Sequence, residues 1–415
     1  MKKLFRNCLI YTNGFIRKSD AVFDGVSVIP TAAPDLSDIS GVYDNCIILP
    51  GFCDVHVHFR EPGFIYKEDI ATGSRASARG GYTAVCTMPN LDPCPDSVCN
   101  IEVEIKAIIE KSVIAVYPFA ALTVGEKGEK LSDMDGIAPM SVGFSDDGRG
   151  VQSADIMKSA MLNAKRLKKI ISAHCEDNSL LCGGYIHKGQ YAEQHGHRGI
   201  SSESEWRQIE RDVALAAETG CAYHVCHIST RESVDIIRKA KKNGVNITCE
   251  TAPHYLLLDD SMLEEDGRFK MNPPLRSVDD RQALIEGLQD GTIDMIATDH
   301  APHSADEKSR GLEKSLMGIS GIECAFPLLY DGLVKTGKIT LQRLAELMSV
   351  NPRKRFFISS DTGCSVWQKG DFRIDSREFL SKGKSTPFDG WQVSLRNILT
   401  VYNGKAVYEY EGEKK

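Results

Sequence analysis

Between residues 46 and 350, short apolar or β-branched runs alternate with longer amphipathic segments, and this alternation leaves few folds open to the chain. A strand, a helix and a second strand in succession return to one sheet in parallel, with the helix covering a face. Eight such runs can be read, at residues 47–57 (interrupted by Pro50-Gly51), 82–87, 113–117, 140–144, 170–173, 222–226, 245–249 and 293–298. Helical segments lie between them at 153–168, 203–219, 231–242 and 277–289, and Ser229 with Glu232 has the spacing of a capping box for the third. The pattern predicts an α/β fold, a closed TIM-like (β/α)8 barrel whose chemistry gathers at the C-terminal ends of its strands.

Metal-ligating side chains fall at those ends. In His56-Val57-His58 the two imidazoles are two residues apart on a strand and point to one face, so both can reach a single ion. The fourth strand ends in Asp146-Asp147, the fifth in His174, the sixth in His227 and the eighth in Asp299-His300. Taken singly, each has a plainer reading: a lone histidine is a hydrogen-bonded core group, and Asp147 before Gly148 is a turn residue. Together on one barrel face they supply the three or four N/O ligands that a catalytic zinc ion requires. His195-Gly196-His197 has the same spacing but lies in the polar stretch 178–202, which reads as a long surface loop after strand five and not as a metal site.

Composition excludes other classes. With 42% hydrophobic and 26% charged residues, the 415-residue chain has the make-up of a soluble globular enzyme. The net charge is -7, and the basic clusters at 165–169 and 238–242 close predicted helices, so no nucleic-acid partner is implied. No apolar run is long enough to span a bilayer and the first residues lack a signal-peptide core, so no membrane partner and a cytoplasmic location are expected. The 13 cysteines, without CxxC spacing, suit reduced thiols in core positions.

The motifs Asp54-Val55-His56-Val57-His58-Phe59-Arg60-Glu61-Pro62-Gly63, Met88-Pro89-Asn90, Phe144-Ser145-Asp146-Asp147-Gly148, Ala173-His174-Cys175-Glu176-Asp177, Cys226-His227-Ile228-Ser229-Thr230, Lys270-Met271-Asn272-Pro273-Pro274-Leu275-Arg276 and Ala297-Thr298-Asp299-His300-Ala301-Pro302-His303 span the barrel in order. At these residues the chain closely resembles the dihydroorotases of the bacterial class I type, cyclic amidohydrolases of the amidohydrolase superfamily. The resemblance implies His56, His58, Asp147, His174, His227 and Asp299 as metal ligands, with Asp299 also the catalytic acid/base. It implies substrate contacts from His58, Arg60, Asn90, Asn272, His303 and the Met317-Gly318 backbone. The reaction implied is reversible hydrolysis of L-dihydroorotate to N-carbamoyl-L-aspartate, with metal-bound hydroxide as nucleophile, run as ring closure in pyrimidine biosynthesis. The planar fork of Arg60 suits a substrate carboxylate, and Asn90 and Asn272 can donate or accept towards a ring of alternating N–H and C=O groups.

Related two-metal enzymes bridge their ions with a carboxylated lysine on strand four. Here only Asp146 and Asp147 stand there, so one Zn2+ or two, and which aspartate serves, stay open. A homodimer and a contact with aspartate transcarbamoylase are partner arrangements that the resemblance leaves open. The alternatives are another cyclic amidohydrolase, such as a hydantoinase, dihydropyrimidinase or allantoinase, and a non-catalytic dihydroorotase-like subunit. Arg60 and the intact ligand set speak against them. Residues 303–318 read either as a lid or as an ordinary mobile loop. Outside the barrel (46–351), segments 1–45 and 352–415 are implied to combine into one small β-sandwich, with Asn403-Gly404 as a hairpin signal.

Overall fold

The computed structural model describes residues 2–34, 37–359 and 363–410. Parts of the two expected terminal segments, at residues 1, 35–36, 360–362 and 411–415, lie outside the described residues. Among the described residues, eight parallel strands close the barrel: β1 (Phe52–Val57), β2 (Tyr82–Thr87), β3 (Ala115–Pro118), β4 (Gly143–Ser145), β5 (Ile170–Ala173), β6 (Ala222–Val225), β7 (Ile247–Thr251) and β8 (Met295–Ile296). β3 runs on through Phe119 into Ala120–Ala121, so that its first part pairs with β2 and its second with β4. Closure comes from a parallel bridge between Val57 and His300, with the His58 N–H donating to the His300 carbonyl at 2.9 Å. Beneath it the buried Asp54 carboxylate accepts the Thr298 hydroxyl at 2.6 Å and the His56 N–H at 3.1 Å, tying the first strand to the last.

The run at 47–57 divides between two sheets. Ile47–Pro50 pairs in parallel with Leu9 and Ile10 and antiparallel with residues 364–367, in the sheet built from both chain ends, and only Phe52–Val57 enters the barrel. The physical reason stands at the break: Pro50 brings no N–H to a ladder, and a Cβ on Gly51 would lie 2.2 Å from the Thr83 hydroxyl oxygen. The terminal sheet joins strands of residues 2–50 to Cys364–Arg373, Gln392–Tyr402 and Lys405–Glu409 in one hydrogen-bonded ladder. Its period-two alternation serves two cores. Ile47, Leu49 and Trp367 pack with the barrel helices, whereas Ile48 and Val366 join Phe5, Ile10 and Leu399 in the sheet's own core. Asn403 and Gly404, both at positive φ, form the expected hairpin turn.

Helices Ala154–Arg166, Glu203–Thr219, Arg231–Lys242 and Val278–Asp290 occupy the predicted segments. The cap of the third differs from the expected Ser229–Glu232 box. Thr230 is the N-cap, accepting from the Ser233 N–H, because Ser229 turns inward to the buried Glu205 carboxylate, which also accepts from the N–H groups of Ser229 and Thr230. Trp367, 1% exposed, is the seam between the two units, its ring centroid 4.6 Å from that of Phe326 and 6.1 Å from that of Phe52. Trp367→Ala is expected to cost about 3–5 kcal/mol. A lowered melting temperature in thermal unfolding checks this, and an unchanged one would show that the seam contributes nothing.

Candidate active site

Eleven of the twelve expected site residues line one cavity of about 200 Å³ at the C-terminal mouth of the barrel, and the twelfth, His56, lies fully buried beneath it. His56 and His58 leave β1 on the same side, as strand parity requires. His56 Nε2 lies 3.3 Å from Asp147 Oδ1 and 3.6 Å from Asp299 Oδ1, and His58 Nε2 lies 3.4 Å from Asp147 Oδ2 and 3.2 Å from Asp299 Oδ1. His227 Nε2 is 3.6 Å and His174 Nδ1 3.9 Å from the same Asp147 Oδ1, and these two ring nitrogens are 3.1 Å apart. The six expected ligands thus converge on one point of the mouth, around Asp147.

The two neighbouring aspartates have different surroundings. Asp146 turns back into the fold, its Oδ1 accepting from the N–H groups of Leu122 and Thr123 at 2.8 and 3.0 Å and its Oδ2 from the Thr123 hydroxyl. Asp147 Oδ1 and His56 Nε2 are both buried and have no hydrogen-bond partner among the described residues, although such atoms are costly to leave alone. Buried, unpartnered carboxylate and imidazole atoms facing one another are what a divalent cation would satisfy, and groups His56/His58/Asp299 and His56/Asp147/His227 each bring their ligand atoms within 4.8 Å. The charge balance agrees. Burial draws the His56 imidazole towards neutrality, but Asp147 and the Cys226 thiol lift its pKa well above the usual value. Burial likewise resists ionisation of Asp299, yet the His58 hydrogen bond and the charges of His56 and His227 take its carboxyl far below the usual range. The cluster is built to hold positive charge.

Glu250, on β7, has no place among the residues expected from the sequence. Its Oε1 accepts from His56 Nδ1 at 2.8 Å and its Oε2 meets His224 Nε2 at 3.1 Å, while His224 Nδ1 reaches the Thr248 hydroxyl at 2.8 Å. Burial opposes the charge, but the two imidazoles hold the Glu250 carboxyl down at about 2. This carboxylate fixes a proton of His56 on Nδ1 and turns Nε2 towards the cluster. The available signal was a charged residue directly after the run 245–249 read as the seventh strand.

Three site residues adopt left-handed backbone: Arg60 at φ 60, His227 at φ 30 and Asp299 at φ 47. Such conformations cost on the order of 1–3 kcal/mol each and persist because the surrounding strand ends and carbonyl contacts impose them. Arg60, 8% exposed, sends Nε to the Pro302 carbonyl at 3.4 Å and Nη2 to within 3.5 Å of His303 Nε2; among the described residues it has no carboxylate partner in ion-pair range. His303 Nε2 also donates to the Met317 carbonyl at 2.8 Å, and its Nδ1 lies 3.4 Å from Lys67 Nζ. Burial and the charges of Arg60 and Lys67 press the His303 pKa down to about 3, so the ring is neutral.

The segment 303–318 is anchored on both sides. The buried Lys308 ammonium donates to the carbonyls of Lys270, Leu316 and Gly318 at 3.0, 2.8 and 2.7 Å, and the Gly318 N–H returns to Lys270 at 3.0 Å. Gly318, at φ 132, is required there, since a Cβ would lie 2.6 Å from the Ala301 carbonyl oxygen. His195 and His197 lie elsewhere, on a small subdomain of Ile186–His187, Gln190–His195 and Gly199–Ile200. There His197 is taken up by the Tyr185 hydroxyl at 2.8 Å and Glu265 at 2.7 Å.

Solved structures share this architecture over nearly the whole chain. L-hydantoinase (dihydropyrimidinase) from Arthrobacter aurescens superposes with a TM-score of 0.84 at 24% identity, covering 99% of this chain and 96% of that one. A dihydropyrimidinase from Brevibacillus agri gives 0.80 at 22%, covering 99% and 95%. Barrel and mouth cluster, with the dihydroorotases to which the chain is similar, define an enzyme of the cyclic amidohydrolase class. Residues 45–233 match the family model described as "Dihydro-orotase-like". Proteins named dihydroorotase from Fusobacterium nucleatum and Staphylococcus aureus are 47% and 45% identical, over 98% and 99% of this chain and 98% and 100% of theirs. The chain belongs to the dihydroorotase family. Among the described residues, no helix is long and apolar enough to cross a membrane.

Glu250→Ala is expected to weaken divalent-metal affinity about 10–100-fold, because His56 would lose the carboxylate that fixes its tautomer. Competition with a chelator measures it, and unchanged affinity would remove Glu250 from the metal's support.

Proposed function

We propose that the chain catalyses the reversible hydrolysis of L-dihydroorotate to N-carbamoyl-L-aspartate, running as ring closure in pyrimidine biosynthesis. The observation that carries this reading is Arg60. A buried guanidinium without a carboxylate partner among the described residues stands in the same cavity as the His/Asp cluster, which suits a substrate that brings an anion of its own and an amide within reach of the cluster. Dihydroorotate carries that carboxylate on the cyclic amide; hydantoin and allantoin carry none. Burial lowers the Arg60 pKa only to about 10, so the guanidinium is charged at neutral pH. The relatives' name points to the same substrate.

His56, His58, Asp147, His174, His227 and Asp299 would hold zinc, one ion or two. Bound zinc would supply Lewis acidity and a water acidified to a pKa of roughly 7. The chain's own residues do the rest. Arg60 and Asn90 take the carboxylate, His303 lies beside the Arg60 guanidinium, and Asn272 and the Met317-Gly318 backbone meet the ring's polar edge. Asp299, ionised and 3.2 Å from His58 Nε2, takes a proton from the attacking water and returns it to the ring nitrogen as the C–N bond breaks, and reverses both transfers on closure.

Metal content and dihydroorotate ring opening, measured before and after chelation, should fall and recover together on adding zinc back; activity that survives removal of the metal would refute the reading. Asp299→Ala should lose turnover by at least about 10³-fold while remaining folded. Arg60→Ala should raise KM by about 10–100-fold, since the substrate carboxylate would be left unpaired. A panel in which hydantoin or allantoin is opened faster than dihydroorotate would reverse the substrate assignment.

A further inference from the structure

Asn90 and Asn272 both line the cavity, and an amide can meet a ligand with either its oxygen or its nitrogen. We infer that Glu176 is a positioning residue that fixes the polarity of Asn272, so that this amide offers the ligand an acceptor while Asn90 offers a donor. Glu176 lies just beyond β5, 8% exposed. Its N–H donates to Gln208 Oε1 at 3.2 Å and its carbonyl accepts from Gln152 Nε2 at 2.8 Å, which hold its backbone from both sides. Its Oε1 accepts from Asn272 Nδ2 at 3.0 Å. A carboxylate only accepts, so the amide must turn its NH2 towards Glu176. The Asn272 carbonyl oxygen is thereby left over; it is buried and has no hydrogen-bond partner among the described residues.

Asn90 is fixed the opposite way. With a metal held on its Nε2 side, His58 would carry its proton on Nδ1, which lies 2.9 Å from Asn90 Oδ1. Asn90 therefore accepts from His58 and keeps its NH2 for the ligand. The site thus suits a ligand with an anion for Arg60 and Asn90 and an N–H for Asn272. Resting on the function proposed above, this makes one ring N–H of dihydroorotate a recognition element read by Asn272 under the control of Glu176.

A polarity swap in the metal-loaded full-length enzyme tests it. N272D sets two carboxylates against each other and should raise KM for L-dihydroorotate at least about tenfold, with the loss falling on KM more than on kcat. E176Q/N272D turns the introduced amide's NH2 towards the introduced carboxylate, restores a free acceptor, and should bring KM back to within about threefold of the parent enzyme. Metal content, unchanged across the set, separates this effect from one on His174, whose Nε2 lies 3.8 Å from Glu176 Oε2. If N272D alone fails to fold, a folded and active E176Q/N272D supports the pairing, and an inactive one overturns it. Parent enzyme that opens no dihydroorotate overturns the functional reading and the ring assignment with it. An active parent whose double variant is no better than N272D overturns only the role of Glu176.

Discussion

The parallel contact between β8 and β1 is the constraint on which the site depends. Without it the two histidines of β1 and the aspartate beyond β8 would lie at opposite edges of an open sheet, more than two hundred residues apart in the chain. The bridge from Val57 to His300 and the buried Asp54–Thr298 contact bring these edges into register. Register in a parallel ladder is discrete, and a slip of one residue would turn His56 and His58 away from the mouth. Burial pushes the Asp54 carboxyl up to about 7, so the closing contact is itself held against an unfavourable desolvation and depends on the hydroxyl and N–H donors that meet it. The site is assembled by the same interaction that closes the fold.

The strand-end ligands are legible in the sequence because their signal is local. Two histidines spaced by one residue share a face in any strand, and a barrel collects strand ends by topology alone. The division at Pro50-Gly51 is less legible: two consecutive apolar runs look like one interrupted strand, and only the neighbours, Leu9 and residues 364–367, assign the first run to another sheet. The same holds for the cap at Thr230, where a tertiary carboxylate, Glu205, takes Ser229 out of the helix start. Glu250 is 194 residues from His56, and no spacing in the sequence connects them.

Asp146 and Asp147 show how such long-range contacts divide labour between chemically identical neighbours. Consecutive residues leaving a strand point to opposite sides, so one of the pair had to face inward to the Leu122–Thr123 backbone and the other to the mouth. Sequence gives the pair but not the parity at the end of a short strand. The donors that saturate Asp146 are backbone groups of the loop after β3, and they leave Asp147 as the carboxylate free to face four imidazoles.

The outer half of the site follows a related logic with neutral groups. Amides, unlike carboxylates or guanidinium groups, carry no fixed polarity, so an asparagine in a pocket specifies nothing until something behind it decides which atom faces the ligand. For Asn90 that decision is made by a histidine whose other nitrogen faces the metal cluster, and for Asn272 by the carboxylate of Glu176. Ligand orientation is in this way coupled to the state of the cluster: whatever holds His58 on its Nε2 side also sets Asn90 as a donor. On the proposed function, two such amides of opposite polarity and one arginine would tell apart the two ends of a small ring in a cavity of about 200 Å³.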